Sequence, residues 1–421
     1  MTIPRMAAVA GLLVALVTIA GGPASAAAAK PSSPASAARS VAEPAWAVQR
    51  TPSPAKAYDS LLTAVSCASA TACTAVGYAY ENPKSELPVA FAEAWNGAKW
   101  SLQTTPRLAG SAFSEFSGVS CASATACTAV GDSAGDPLVE RWNGTSWSVQ
   151  SLPLPAGASN ADLFAVSCAS ATACTAAGDY YVANKLHYTL AEVWHGTSWS
   201  VQATPNPKGA GGGSNVNNGS RLLGVSCASV TACTAVGLYV NNAQDEFTLA
   251  ERWNGASWSI QHTPNREAIT GLDGISCASA TACTATGFTE NHHFVSKTLA
   301  EAWHDVTWSV QATPSPPDVE LSGLNSLSCT SATACIAAGS GGANTLAETW
   351  NGTRWSVQAT LNPGAAQQDV NNFYGVSCTS PTACTAVGEH VTGGAEVPLA
   401  ERYSPLTPAA RSSRTGAGER A

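Results

Sequence analysis

The chain has 421 residues and a formal net charge of −8, with only 11% of its residues charged. No stretch gathers lysine and arginine into a basic stripe, which argues against nucleic acid as a partner. Fourteen cysteines, an even number, argue for disulfides if the chain is exported.

The first residues read as an export signal. Arg5 gives a basic start, Met6 to Ala20 is almost wholly apolar, and Ala24-Ser25-Ala26 supplies a small-residue cleavage pattern. A signal peptide over 1–26 is therefore expected, with a secreted, extracellular product starting near Ala27. The apolar stretch is too short to span a bilayer and no second candidate follows, so no stable membrane insertion is expected. Residues 27–44 are Ala, Ser and Pro and read as a disordered leader, and 406–421 as a disordered tail.

Between them, over 45–405, all fourteen cysteines fall in seven copies of Ser-Cys-x5-Cys. The pairs are Cys67/Cys73, Cys121/Cys127, Cys168/Cys174, Cys227/Cys233, Cys277/Cys283, Cys329/Cys335 and Cys378/Cys384, and successive copies start 47 to 59 residues apart. Zinc prefers ligand pairs separated by two to four residues; five intervening residues suit a bridge across a hairpin.

The copy around Cys227 shows the grammar. Leu222 to Cys227 reads as a first strand and Ala232 to Gly237 as a second. Thr248 to Trp253 is a third, Asn254-Gly255 a hairpin turn, and Trp258 to Thr263 a fourth strand that Pro264 stops. Small residues crowd the first two strands, and all thirteen tryptophans lie on the outer two. Six copies carry Trp-x4-Trp across the turn, as at Trp95/Trp100 and Trp142/Trp147; cross-strand aromatic pairs of this kind stabilise hairpins. The seventh has Tyr403 and no fourth strand. A match to that strand, Trp46-Ala-Val-Gln-Arg-Thr-Pro52, precedes the first copy. The expected fold is all-β: a seven-bladed β-propeller of four-stranded antiparallel blades, closed by an N-terminal strand completing the last blade. An open array or a barrel is the alternative.

The Trp-Asn-Gly-Thr-Ser-Trp and Ser-Cys-Ala-Ser-Ala-Thr-Ala-Cys phrases make residues 46–405 resemble secreted bacterial β-propeller repeat proteins, broadly the kelch-like and galactose-oxidase-like propellers. The resemblance implies a fold rather than an activity. The kelch Gly-Gly doublet, the Gly-His…Trp-Asp signature and the sialidase Ser-x-Asp-x-Gly-x-x-Trp box are absent.

Internal symmetry separates scaffold from site: a residue present in every copy serves the fold. Glu93, Glu140, Glu192, Glu251, Glu301, Glu348 and Glu401 recur at one third-strand position, and each is expected to accept a hydrogen bond within or between blades. Length variation is confined to the loops between strands two and three and to the crossings between copies, which would share one face. Symmetry-breaking residues there include Tyr180, Tyr181, Tyr239, His292, His293, Asn372 and Tyr374, the candidate ligand-binding residues. Rings stack on sugar faces, and amides take hydroxyls. His187, His292, His293 and His390 come from alternate copies without ligand spacing, so no metal site is expected. The crossing 207–219 is glycine-rich but lacks a following Gly-Lys-Ser/Thr, so no cofactor is expected either. The function expected is a monomeric, non-catalytic module binding a glycan or a cell-envelope protein. The alternative is a carbohydrate-active hydrolase or lyase using Asp132, Asp136, Asp179, Glu246 or Glu290.

Overall fold

The computed structural model describes residues 44–405 apart from 83–86, 109, 183–185, 211–218, 266–268, 318 and 364–369. The expected signal peptide, the leader up to residue 43, the tail 406–421 and most of the 207–219 crossing lie outside the described residues. Pro44 opens a strand instead of ending the leader.

The described residues form 28 strands and no helix. Each copy of the cysteine phrase is the start of one antiparallel meander. In repeat 1 its strands are Asp59–Ser69, Ala72–Tyr80, Pro88–Trp95 and Trp100–Gln103, and the same plan recurs through repeat 7. Repeats 1, 2, 6 and 7 are separate four-stranded sheets, while repeats 3, 4 and 5 join into one 12-stranded sheet. The joins are single parallel pairs, His187 with Gly219 and Glu246 with Ile269.

Turn chemistry explains the outer hairpins. The Asn96 Oδ1 accepts from the Ala98 and Lys99 N–H groups, and Gly97 takes φ of +91°, a conformation that suits glycine. This places Trp95 opposite Trp100, with ring centroids 5.8 Å apart. In repeat 7 the fourth place is taken by Pro44–Gln49, which pairs antiparallel with Ala395–Pro405 and sets Trp46 opposite Tyr403.

All seven cysteine pairs are disulfides, each between directly opposed residues of the first and second strands. They are consistent with an extracellular protein. The two sulfurs of a bridge are not equivalent. The second cysteine of each pair (Cys73, Cys127, Cys174, Cys233, Cys283, Cys335 and Cys384) is buried within an apolar cluster, whereas the first is only partly covered. The cysteines are site residues only in the sense of cross-links. Buried sulfur on the second strand packs as a small apolar group, so Cys73, Cys127, Cys174, Cys233, Cys283, Cys335 and Cys384 belong to the core and offer nothing to a ligand.

The serine before each pair has a second task. Ser66 Oγ accepts from the N–H of Cys121, Ser120 from Cys168, Ser167 from Cys227, Ser226 from Cys277, Ser276 from Cys329 and Ser328 from Cys378. Ser377 then accepts from Cys67 at 3.0 Å, returning to repeat 1.

The core follows the same plan, as seven apolar clusters that each draw on two consecutive repeats. Phe116, Trp147 and Cys127 of repeat 2 pack with Val76 and Ala92 of repeat 1, and Leu62, Phe91 and Trp100 of repeat 1 pack with Val387 and Ala400 of repeat 7. Arg141, Arg252 and Arg402 add clamps. Each lies over a tryptophan of the following repeat (Trp194, Trp303 and Trp95) and donates to a backbone carbonyl there.

Because each bridge closes only a short hairpin, a single one contributes at most about 2–2.5 kcal/mol through chain entropy. A C227A/C233A double variant, which adds no polar group to the apolar cluster around Cys233, is therefore expected to lose about that much in urea denaturation, plus on the order of 1 kcal/mol for the lost sulfur packing. A larger loss would mean that the bridge also holds repeats together.

The shared carboxylates behave differently from the sequence expectation. All seven glutamates are fully buried. Glu401 Oε2 accepts from the Leu361 N–H at 3.2 Å, but neither oxygen of Glu93 or Glu192 has a hydrogen-bond partner among the described residues. The position held by Leu361 is proline in the other six repeats (Pro52, Pro106, Pro153, Pro205, Pro264 and Pro314), and proline has no N–H to give.

Candidate functional site

Strand register defines two unlike ends of every sheet. At one end lie the short Cys-to-Cys and Trp-to-Trp turns. At the other, a crossing enters the first strand, the second strand ends and the third begins, as where Asp59 pairs with Tyr80 and Tyr80 with Pro88. The variable loops therefore share an end with the start of the first strand.

The scaffold changes character in this part of the strands. Every first strand carries a bulge four residues before its cysteine, and the bulged residue differs in each repeat: Thr63, Ser117, Phe164, Leu223, Asp273, Asn325 and Tyr374. Bulges re-aim side chains and recur beside functional sites. The second strand carries an invariant glycine opposite. A Cβ at Gly77 would run into the Leu61 carbonyl oxygen, and one at Gly131 into that of Glu115, so glycine here lets the two inner strands approach. Just beyond lies a layer in which no repeat copies another. The cross-strand pairs are Leu61/Tyr78, Glu115/Asp132, Asp162/Asp179, Arg221/Leu238, Gly271/Phe288, Gly323/Ser340 and Asn372/Glu389.

Repeats 2 to 4 place a charged network in this layer. Asp179 and His187 are buried and joined through Nδ1 of the ring, while Arg221 donates to Asp179 Oδ2 at 3.2 Å and to His187 Nε2 at 2.9 Å. Tyr181 packs on the His187 ring at 4.1 Å, and its hydroxyl reaches Asp162 at 3.4 Å. Asp132 meets Asp162 across the boundary between repeats 2 and 3. Burial, followed by the charges of Asp162 and Glu115, pushes the Asp132 carboxyl far up; burial and Asp179 push Asp162 up less.

Repeats 7 and 1 place a second group there. Tyr374 donates its hydroxyl to Glu389 Oε1 at 2.7 Å and Asn372 Nδ2 donates to the same oxygen at 3.1 Å. Glu396 donates its N–H to Asp59 Oδ1 at 2.9 Å.

The candidates read from the sequence thus divide. Tyr181 enters the first network, and Asn372 and Tyr374 enter the second. Tyr180 stacks on Tyr188 at 5.5 Å and Tyr239 lies against Phe247 at 5.3 Å, and both are packed on apolar clusters. His292 and His293 are exposed in a turn held by Asn291. Among the described residues no group of three or more His, Cys, Asp or Glu is placed to hold a metal. Of the proposed carboxylates, Asp132 and Asp179 are in the layer and Asp136 is exposed. Glu246 lies near Arg221 and Glu290, and Glu290 accepts from Ser296 at 2.6 Å. Glu115, Asp162, Arg221, Asp59, Tyr78 and Glu396 were missed because they sit in or at the edge of strands rather than in loops. Aligning the repeats on their cysteines and reading six places before the first and five after the second exposes the layer.

Outside this layer, a groove of about 450 Å³ lies between the fourth strand of repeat 1 and the outer hairpin of repeat 2, lined by Gln103, Thr105, Trp142 and Trp147. Its tryptophans and glutamine belong to the repeated scaffold, so it does not mark a site.

No protein-family model matches the chain, and no curated protein matches it. Among solved structures it is similar to that of U3-55K, with a TM-score of 0.53 at 9% sequence identity over 86% of this chain and 98% of that one. It also has a weaker likeness to a protein of unknown function from Dyadobacter fermentans DSM 18053, with a TM-score of 0.47 at 8% identity over 86% of this chain and 98% of that one. At such identity, the likeness to U3-55K concerns the fold alone.

Proposed function

We propose that the chain is a secreted, disulfide-stabilised seven-bladed β-propeller, closed by its N-terminal strand. In this reading it is a non-catalytic module that binds an extracellular glycan or a cell-envelope protein at the variable end. The architecture is supported by the head-to-tail serine–cysteine hydrogen bonds, which return from Ser377 to Cys67, and by the pairing of Pro44–Gln49 with the last strand. The observation that carries the functional reading is the layer beside the bulges. In a chain whose strands otherwise largely copy one another, this layer and the bulge beside it differ in every repeat, and most of the layer's cross-strand pairs carry at least one charged, amide or aromatic side chain. A site engaging one ligand must break the symmetry of its scaffold, and half-buried tyrosines beside amides and carboxylates suit hydroxylated ligands.

Applied to a glycan array, the purified protein is expected to bind a subset of saccharides saturably. A blank array, together with no envelope protein retained on immobilised protein, would overturn the reading.

The hydrolase reading is favoured by one arrangement, the Asp132–Asp162 pair, in which one carboxyl holds a proton beside another that ionises more readily. On that reading, D132N and D162N each abolish cleavage of any glycan the protein turns over, and cleavage surviving both changes excludes this pair.

A further inference from the structure

The two polar groups in the variable layer differ in that the first contains an arginine. In repeats 2 to 4, Asp179 pairs with Arg221 and His187, although Asp132 and Asp162 beside it form no ion pair among the described residues. Where repeat 7 meets repeat 1, three carboxyl groups gather with no such counter-charge. Glu389 lies at the end of a second strand, Glu396 at the start of a third, and Asp59 at the start of the first strand of repeat 1. None of the three forms an ion pair among the described residues. Glu396 is pushed up to about 7 by burial and by the neighbouring Glu389 and Asp59.

Aromatic surface accompanies this charge. Tyr78 and Tyr80 are half-buried or nearly so and meet edge to face at 5.8 Å. Tyr78 also lies close enough to Tyr374 to raise its phenol further, beyond the effects of burial and of Glu389. Asn372 and Tyr374 both direct hydrogen bonds to one oxygen of Glu389, which orients that carboxylate although it is only 6% exposed. The junction therefore combines flat rings, an amide, phenols and acid groups that form no ion pair among the described residues. A hydroxylated ring bearing an ammonium group complements all of these: rings take its apolar face and its cation, carboxylates take the ammonium, and the amide and phenol take hydroxyls.

We propose that the junction of repeats 7 and 1 is a subsite for an amino sugar with a free ammonium group, within a glycan ligand. The proposal rests on the glycan-binding reading and names the sugar class that this part of the layer would recognise.

Isothermal titration of the full protein with a glucosamine tetrasaccharide, its N-acetylated counterpart and tetralysine tests it. The wild type is expected to bind the free-amine sugar, and both the acetylated sugar and tetralysine on the order of tenfold or more weakly. E389Q and E396Q keep the side-chain shape and each should weaken binding of the free-amine sugar on the order of tenfold. E396Q, at a partly exposed position, guards against misfolding of the more buried variant, and an unchanged melting temperature qualifies either. Equal binding of the two sugars, or affinity unchanged in both variants, overturns the subsite. So does failure to bind the free-amine sugar while other array glycans bind; in all three cases the glycan reading stands. Tetralysine bound as tightly, with the same losses, overturns the sugar assignment in favour of a basic peptide. No glycan bound at all overturns both readings.

Discussion

Replacing Trp46 with alanine is expected to cost about 3–5 kcal/mol of stability, the range for emptying a buried tryptophan site. Trp46 comes from the N-terminal strand yet is only 5% exposed, with its ring 5.2 Å from Tyr403 and 5.9 Å from Phe373. Its cluster also takes in Ile336 and Ala338 of repeat 6, so the loss is felt by two repeats. Trp253, at the partly exposed third-strand end in repeat 4, is the control and should lose less. Deleting residues 44–52 should go further. It removes the fourth strand of repeat 7 and leaves the edge from Ala400 to Pro405 unpaired. If the strand acts as a separable closing element, a synthetic peptide covering 44–52 added to the deleted protein should restore much of the lost melting temperature. Urea denaturation checks the first expectation and differential scanning fluorimetry with peptide the second. A loss below 1 kcal/mol for W46A, or no effect of deletion, would show that repeat 7 is complete without its borrowed strand.

The borrowed strand is legible in the amino-acid sequence, because Trp46 to Pro52 repeats a phrase found six more times. Repetition made the scaffold readable in general. Cysteine spacing gave the hairpins, Asn-Gly gave the outer turns, and the Trp-x4-Trp interval gave the register that puts Trp142 opposite Trp147. The role of the serine before each cysteine was not readable, since its partner lies one repeat away and nothing local signals it. The layer was hidden for a related reason. Arg221 is near Asp179 only because the bulge and the invariant glycine set where neighbouring strands meet, and a 42-residue separation carries no trace of that contact. Attention to loops also favoured conspicuous residues. His292 and His293 are unusual in sequence but solvent-exposed, whereas Glu115 and Asp162 look like ordinary strand residues until they are placed beside Asp132.

Thermal stability is expected to fall as pH rises from about 5 to about 8, and the buried glutamates are the reason. Burial pushes Glu93, Glu140, Glu192 and Glu251 up to about 8, and Glu348 and Glu401 up to about 7, from a usual value of 4.5. The Thr189 hydroxyl beside Glu251, the Thr298 hydroxyl beside Glu348 and the Leu361 N–H on Glu401 pull the other way. No charged neighbour shifts any of these six. With the folded value above the unfolded one, the fold binds protons that the unfolded chain releases. Their contribution is fully present below about pH 4.5, declines as the unfolded carboxyls ionise, and is lost once pH passes the folded values near 7 to 8. Glutamine at Glu93 preserves shape and removes the titration. E93Q should therefore match the wild type to within about 1 kcal/mol at pH 5 and exceed it by about 1–3 kcal/mol at pH 8. E401Q should gain less, because the Leu361 N–H donates to an oxygen of Glu401 and favours its ionised form. The comparison isolates the effect of a backbone donor, since Leu361, after the last strand of repeat 6, gives its N–H to Glu401 of repeat 7, whereas the equivalent position after the N-terminal strand is Pro52. Denaturation curves at pH 5 and pH 8 decide it: a wild type equally stable at both, or an E93Q gain independent of pH, would mean that these carboxyls are ionised and solvated within the fold.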